Sequence, residues 1–349
     1  MTDIRCFRLV CTQEVASLIV GMHAPDGFLD PSVAAAMAIV AAIVLGKALR
    51  ASEVELGDRR VPLAGVCAAF IFAAQMVNFP VASGTTGHLL GGALAAILLG
   101  PWVGSLVVAI VVVVQALVFA DGGLTALGYN TVNMAVVPAF AGWALFRGFR
   151  RLLPRNVGGV VGAGALAAGV SVVLSAMAFS LQWLFGATAP VAFDTVFGAM
   201  VGVHVLIGVG EAVITGLVVA AVMASRPDLV VGAADLSPTQ LAGQPRVANR
   251  AFAIGAVLVA LVLATAISQF AAGDPDGLER VAEDTGFADT AEAQPFADGL
   301  FADYATRGLD NEGLSLAVAG STGVLLTLTV GWGMASAQRR LRPAPSPRP

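Results

Sequence analysis

The sequence predicts an all-α polytopic membrane protein: a seven-helix bundle followed by a two-helix C-terminal module. Hydrophobic residues make up 57% of the 349 residues and charged residues only 12%, and the mean hydropathy is +0.84. A soluble domain of this length cannot bury so much apolar surface, so the bilayer must act as the solvent. Apolar segments of membrane length, separated by Pro, Gly and basic residues, give the helix count.

The distribution of basic residues predicts the orientation of these helices. Of the lysines and arginines that follow Met22, only Arg280 and Arg307 fall on one side of the predicted topology. The positive-inside rule makes the other side cytoplasmic and places Met22, His23 and His88 outside. The fifteen residues on the cytoplasmic side are Lys47, Arg50, Arg59, Arg60, Arg147, Arg150, Arg151, Arg155, Arg226, Arg246, Arg250, Arg339, Arg340, Arg342 and Arg348.

The bundle begins with a helix from about Pro31 to Leu49, for which Asp30 is a suitable N-cap and Pro31 a suitable first residue. The third helix starts at His88 and is short for a full span, and a glycine-rich outer loop separates the fourth helix from the fifth. The remaining helices of the bundle are predicted at residues 62–79, 88–99, 103–119, 130–146, 157–185 and 196–224.

Composition then divides the rest of the chain. Residues 22–225 form the membrane domain, and residues 226–250, a polar stretch with three prolines, form a cytoplasmic linker. Residues 251–338 form the C-terminal module, in which two helices flank an outer loop, and residues 339–349 form a basic, proline-rich tail. The loop contains Asp276 and Glu279, which are able to attract cations but are expected to be solvated, as acidic outer loops ordinarily are.

Residues 1–21 do not resemble the rest of the chain, because a weak apolar run is interrupted by Gln13 and Glu14. Two interpretations stay open: a cleaved leader, or an upstream start codon chosen in error. The metal site depends on a working protein that begins at Met22, because an attached extension would leave Met22 without a free amine. A free amine on Met22, the amide nitrogen of His23 and the His23 imidazole then lie within one chelating reach. Three nitrogens in a plane need one more imidazole to complete a square, which suits Ni(II) and Cu(II) better than Zn(II).

His88 is the preferred fourth ligand, because the chain has only three histidines and His23 and His88 fall on the same side of the membrane. The alternative is a histidine that is hydrogen-bonded at the membrane interface. The third histidine, His204, lies seven residues before Glu211 and therefore on the same helix face. An acid within an apolar helix is functional by default, yet a structural role for this pair is equally consistent with the sequence.

Three amides near the outer helix ends, Gln75, Asn78 and Asn133, have two possible roles. They orient ligating imidazoles, or they form interhelical hydrogen bonds. The C-terminal module contains no histidine or cysteine, so it lacks the nitrogen and sulfur ligands that a selective transition-metal site prefers. We therefore expect the metal to remain bound to the bundle when the module is removed.

Two other classes of function compete with this interpretation of the sequence. Lys47 is the only lysine and does not lie in a phosphate-binding loop, so the chain has no Walker-type ATPase of its own. A self-sufficient secondary transporter would use His204 and Glu211 as a proton relay. An intramembrane hydrolase built on Ser83 and His88 ranks far lower, because the chain has neither of the common hydrolase motifs.

Residues 22–223 resemble the CbiM/NikM family, the substrate-specificity components of cobalt and nickel energy-coupling-factor transporters. Residues 251–335 resemble the small two-helix PDGLE (NikN/CbiN-like) component of nickel systems. The matching segments are Met22-His23, Pro25-Asp26-Gly27-Phe28-Leu29, Gln75-Met76-Val77-Asn78-Phe79-Pro80, Gly87-His88-Leu89-Leu90-Gly91-Gly92, Phe119-Ala120-Asp121-Gly122-Gly123, Asn130, Asn133-Met134, Gly208, Gly210-Glu211-Ala212 and Pro275-Asp276-Gly277-Leu278-Glu279.

The resemblance implies a transporter subunit in the plasma membrane rather than an enzyme. Its substrate is Ni²⁺ or Co²⁺, held at the outer face by the amine of Met22, the amide and imidazole of His23, and the imidazole of His88. The implied partners are a transmembrane coupling subunit, cytoplasmic ABC ATPases and membrane lipid, with no nucleic acid. Cobalt and nickel are not distinguished, because both accept nitrogen ligands.

Overall fold

The computed structural model describes residues 23–55, 61–82, 84–237, 240–241 and 247–340. The predictions for residues 1–22, which include Met22, therefore lie outside the described residues. The same holds for Ser83 and for residues 341–349 of the tail.

The described chain is predominantly helical, as predicted. The seven helices of the bundle are α1 (Pro31–Glu55), α2 (Val61–Gln75), α3 (Gly92–Leu99), α4 (Pro101–Val118), α5 (Leu127–Leu152), α6 (Val157–Gly186) and α7 (Phe193–Ser225). The C-terminal module contains α8 (Asn249–Phe270), a short helix α9 (Gly277–Thr285) and α10 (Glu312–Arg340).

Seven of these helices are long and apolar enough to cross a membrane, and α2 is a shorter apolar helix. Large apolar side chains on their outer surfaces are exposed, including Phe185 (76% exposed) and Leu217 (67%). Such surfaces are stable in lipid, where they need no protein partner. The chain is a multi-pass membrane protein.

The start of α1 confirms the predicted N-cap. Asp30 Oδ1 accepts hydrogen bonds from the backbone N–H groups of Ser32, at 2.8 Å, and Val33, at 2.9 Å. Pro31 occupies the first helical position, where its missing N–H costs nothing. This cap fixes the point at which the chain enters the first helix, seven residues after His23.

The region before α3 differs from the prediction. Helix α2 ends at Gln75, an antiparallel hairpin of β1 (Phe79–Ala82) and β2 (Thr85–Gly87) follows, and α3 begins only at Gly92. His88 therefore lies in a non-helical segment before α3 rather than at its first turn. Gly91 has a left-handed backbone conformation with φ 77°, which prevents the helix from extending back towards His88.

Segments that are distant in the sequence contact each other at the two ends of the molecule. One end, which we call the site end, comprises residues 23–30, the hairpin with residues 88–91, residues 119–126 and the loop 271–311. Backbone hydrogen bonds join its parts: Gly123 N to Ala24 O at 3.0 Å, Thr86 N to Pro275 O at 2.8 Å and Glu292 N to Asp26 O at 2.8 Å.

The opposite end, which we call the basic end, is held by ion pairs. Arg150 Nη2 lies 2.7 Å from Asp235 Oδ2, and Arg226 Nη2 lies 2.8 Å from Asp228 Oδ2. The hydrogen bonds of Arg226 to Asp228 raise the pKa of its guanidinium. Arg226 also donates a hydrogen bond to Asn249 at the start of α8, which links the bundle to the C-terminal module.

Candidate metal site

The segment from His23 to Asp30 is inserted into the bundle, and Asp26 anchors it. Asp26 is 5% exposed. Its Oδ1 accepts hydrogen bonds from Thr125 N, Thr125 Oγ1 and Ala126 N, and its Oδ2 from Leu124 N, at distances between 2.6 and 3.0 Å. These contacts satisfy the first backbone N–H groups of the turn that leads into α5 and fix the position of the N-terminal segment.

Two glycines allow this close approach. Gly122 has φ 82°, and a Cβ on it would come within 2.6 Å of the His23 Cβ. A Cβ on Gly123 would overlap the side chain and backbone of Asp26. Only glycine is compatible with this contact, so the glycine-rich loop between α4 and α5 is the wall against which His23 lies.

His23 is buried, and its ring faces a carboxylate. Its Nδ1 lies 2.8 Å from Oδ1 of Asp121. Asp121 is therefore the partner of Nδ1, whereas Nε2 has no hydrogen-bond partner among the described residues. Buried polar atoms without partners are rare and require an explanation. A ligand that occupies the position next to the ring provides one.

Asp121 is in turn held by the C-terminal module. Tyr304 Oη donates to Asp121 Oδ2 at 2.6 Å, and Gln115 Nε2 donates to Tyr304 Oη at 3.1 Å. Burial would raise the pKa of Asp121, but the charge of His23 and the contacts with His23 and Tyr304 together lower it. Burial and the Asp121 charge raise the pKa of Tyr304 well above its usual value, so its hydroxyl remains a donor.

The position of His88 is set by Gln75 and Glu211. Both oxygens of Glu211 accept backbone hydrogen bonds, Oε2 from Leu90 N at 2.7 Å and Oε1 from Gly91 N at 2.9 Å. Gln75 Nε2 donates to Leu90 O at 3.1 Å. The backbone of Leu90, two residues after His88, is therefore fixed at its N–H by Glu211 and at its carbonyl by Gln75. This geometry gives Glu211 a positioning role, and the described chain shows no hydrogen bond between Glu211 and His204.

His23 and His88 line the same cavity. Their ring centroids are 6.1 Å apart, and the cavity has a volume of ≈ 80 Å³, room for a small ion and a few water molecules. His204 and Asn133 also line it. His204 Nδ1 lies 2.8 Å from Met200 O, and Asn133 exchanges two hydrogen bonds with Gln182 of α6 at 2.9 and 2.8 Å.

Asn78 is not among the residues that line this cavity. Its backbone oxygen accepts a hydrogen bond from Ala272 N at 3.0 Å, which joins the chain just before the hairpin to the C-terminal module. Of the three amides singled out from the sequence, Asn133 thus contacts the cavity, Gln75 supports the His88 segment, and Asn78 lies at the junction of the two domains.

The C-terminal module closes one side of the cavity, which the sequence did not predict. Asp276, Gly277 and Leu278 are lining residues, and Asp276 is only 7% exposed. Its Oδ2 lies 3.8 Å from Nε2 of His88. The expectation that Asp276 is solvated is therefore wrong. The pKa of Asp276 is raised by burial, and the charge of His88 opposes this only in part.

Asp121 and Tyr304 are the site residues that sequence reasoning missed, and Asp276 is the one that it expected to be solvated. The only sequence signal was that Asp121 and Asp276 lie in glycine-containing motifs. Within the described ranges, no group of three or more His, Cys, Asp or Glu side chains is arranged to hold a metal ion without further ligands.

The helices and the cavity define a multi-pass membrane protein with a small cavity lined by histidines. Comparison with known families gives a specific assignment. The family described as the cobalt uptake substrate-specific transmembrane region (CbiM) matches residues 23–229, and the PDGLE domain matches residues 250–340. The chain belongs to the CbiM family of cobalt and nickel transport components and carries a fused PDGLE domain. It is a transporter component and not an enzyme.

Two relatives share this fused arrangement. A putative fused nickel transport protein NikMN of Archaeoglobus fulgidus is 36% identical over 316 residues, which are 90% of this chain and 98% of the relative. The fused nickel transport protein NikMN of Rhodobacter capsulatus is 33% identical, over 68% of this chain and 71% of the relative. A solved structure of a truncated transition metal transporter is 33% identical in sequence and matches with a TM-score of 0.52. The match covers 58% of this chain and 98% of the chain in that structure.

Proposed function

We propose that this chain is the substrate-binding membrane component of an ATP-driven energy-coupling-factor importer, and that it binds Ni²⁺ or Co²⁺ at its outer face. The amine of Met22, the amide nitrogen and imidazole of His23, and the imidazole of His88 hold the ion. Membrane domain 22–225 carries this site, and module 251–338 covers it.

One observation supports the proposal more than any other: the insertion of residues 23–30 brings His23 to the same cavity as His88. With metal–nitrogen bonds of about 2 Å, two neighbouring imidazoles on a square-planar ion have ring centroids roughly 4.5 Å apart. The observed separation is 6.1 Å. Binding of the ion therefore requires the two rings to approach each other by roughly 1.5 Å.

The chelate requires one rearrangement at His23. A ring that shares an ion with its own amide nitrogen binds through Nδ1, the atom that contacts Asp121 in this structure. The ion therefore takes the place of that contact. Asp121 remains beside it as a buried negative charge, which favours a divalent cation in low-dielectric surroundings.

Calorimetric titration of the purified full chain with Ni²⁺ tests the ligand set. His23→Ala and His88→Ala should each abolish high-affinity binding, because a four-nitrogen site cannot lose an imidazole. His204→Ala should weaken binding far less, because this residue only lines the cavity. An acyl group or an additional residue on the Met22 amine should be as damaging as His23→Ala. Binding that survives both a blocked amine and His88→Ala would show that the site is elsewhere.

Orientation and partners are tested separately. Cysteine at position 288 should react with an impermeant thiol reagent in intact cells and cysteine at position 155 should not, because the basic end is predicted to be cytoplasmic. Metal uptake should cease when the partner ATPases are deleted. Uptake at full rate by this chain alone would instead support a secondary transporter, although the contacts of Glu211 do not favour a proton relay.

A further inference from the structure

The loop of the C-terminal module that precedes α9 brings a carboxylate to the cavity. Asp276 is the N-cap of α9, and its Oδ1 accepts hydrogen bonds from Leu278 N and Glu279 N, both at 2.8 Å. Its other oxygen, Oδ2, lies 3.8 Å from His88 Nε2. One oxygen therefore holds the helix, while the other is close to an imidazole of the site.

No lysine or arginine forms an ion pair with Asp276 in the part of the chain that the structure describes. Among the described residues, the only basic side chain within ion-pair distance of Asp276 is His88. An imidazole must be neutral to bind a metal. A buried carboxylate without a cation is unfavourable. In the metal-binding state a positive charge from another source would stabilise the ionised form of this carboxylate.

We infer that Asp276 is the charge partner of the transported dication, so that ion binding and the seating of this loop over the cavity stabilise each other. The inference rests on the proposed function, because it requires the ion to bind next to His88. An ion about 2 Å from His88 Nε2 lies at most roughly 6 Å from Asp276 Oδ2. At that distance opposite charges interact strongly when water is excluded.

Two consequences follow from this coupling, because linkage between binding equilibria is reciprocal. The seated loop raises the affinity of the cavity for a divalent cation. The bound cation, in turn, makes opening of the loop less favourable by the same factor. The PDGLE domain thereby contributes directly to retention of the ion, although it contains no histidine or cysteine.

The experiment compares two conservative variants in the same loop. Asp276→Asn removes the charge and keeps a side-chain oxygen that caps α9. Asp274→Asn makes the same change at an exposed position two residues earlier. Titration of the full chain should show Ni²⁺ affinity about tenfold weaker for Asp276→Asn, the lower end of the effect expected for groups adjacent to metal ligands. Asp274→Asn should leave the affinity unchanged.

Hydrogen exchange provides the reciprocal measurement. Ni²⁺ should slow exchange of the amides of residues 274–285 in the unchanged protein and in Asp274→Asn, but not in Asp276→Asn. Asp276→Ser, which also retains a capping oxygen, should behave like Asp276→Asn if charge is the cause. Equal affinity and equal protection in the Asp276 and Asp274 variants would overturn the inference.

His88→Ala separates failure of the inference from failure of the proposed function. If His88→Ala binds Ni²⁺ normally, the ion does not bind at this cavity and both statements fail. If His88→Ala loses binding while Asp276→Asn retains it in full, the proposed function stands and only the role of Asp276 is rejected. The unfolding temperatures of the ion-free variants show whether each variant is folded.

Discussion

The site end and the basic end of this molecule both use charged side chains, but they use them differently. At the site end, Asp26 is 5% exposed and accepts four hydrogen bonds from the loop before α5. At the basic end, the Arg150 side chain is 7% exposed, but the Asp235 side chain that pairs with it is 44% exposed. Buried charged hydrogen bonds are worth about 1.5–3 kcal/mol each, whereas exposure of one partner weakens an ion pair towards the range of surface pairs, about 0–1 kcal/mol. The site end is therefore the preorganised part of the molecule.

The largest effect is expected from Asp26→Ala. This change leaves the N–H groups of Leu124, Thr125 and Ala126 without their side-chain acceptor. Unfolding free energy should fall by roughly 3 kcal/mol or more, and Ni²⁺ binding should be lost because His23 is no longer held at the cavity. Asp235→Asn at the basic end should change stability by less than about 1 kcal/mol. Similar losses in thermal unfolding for both variants would contradict the comparison.

The next largest effect is expected from Glu211→Gln. Both oxygens of Glu211 accept backbone hydrogen bonds, and an amide has only one acceptor oxygen, so its NH₂ group would face a second donor. Unfolding free energy should fall by about 2 kcal/mol, and Ni²⁺ affinity should fall with it because the His88 segment shifts. A proton-relay role predicts the reverse pattern, in which transport is lost while metal binding remains intact. Titration and uptake assays on the same variant distinguish the two.

Hydropathy was sufficient to predict the helical bundle and the C-terminal module, because the length of an apolar run is a local property of the chain. The start of α3 was predicted incorrectly for the opposite reason. The apolar pattern continues through Leu89 and Leu90, yet Glu211, some 120 residues away, accepts the hydrogen bonds of Leu90 and Gly91 and keeps this segment out of the helix. A contact of that separation leaves no periodic signal in the sequence.

Two residues of the candidate site were predicted from the sequence, whereas a third depends on contacts between distant parts of the chain. His23 and His88 stood out because histidine is rare in the chain, and the structure brings both to one cavity. The chemistry of Asp276 was visible in the sequence, but its burial was not, because an acidic residue in a polar loop is ordinarily solvated. Its contact with His88 requires the folded C-terminal module to be placed on the bundle.

A smaller effect is expected from Tyr304→Phe, which tests the link between the module and Asp121. Phenylalanine preserves the stacking on Phe119, where the centroids are 4.9 Å apart, and removes the 2.6 Å hydrogen bond to Asp121. The expected loss is about 1.5 kcal/mol of unfolding free energy, with weaker Ni²⁺ binding. Thr306→Val, which removes a hydroxyl bonded to Ser315 O in the same loop, is the matched control and should leave metal affinity unchanged. Equal Ni²⁺ affinities for the two variants would show that the hydrogen bond from Tyr304 to Asp121 does not support metal binding.

The smallest expected effect concerns pH and Glu279, on the helix that follows Asp276. Burial and the neighbouring Asp276 charge raise the pKa of Glu279 from 4.5 to about 8. The folded state therefore holds a proton that the unfolded chain releases between these pH values, so stability should fall as pH rises from about 4.5 to 8. Glu279 is partly exposed to solvent, which limits the change to roughly 1 kcal/mol. Glu279→Gln should remove this component, because an amide does not titrate. Thermal unfolding of both proteins at several pH values measures the difference. An unchanged slope in Glu279→Gln would mean that another group of the site end controls the pH dependence.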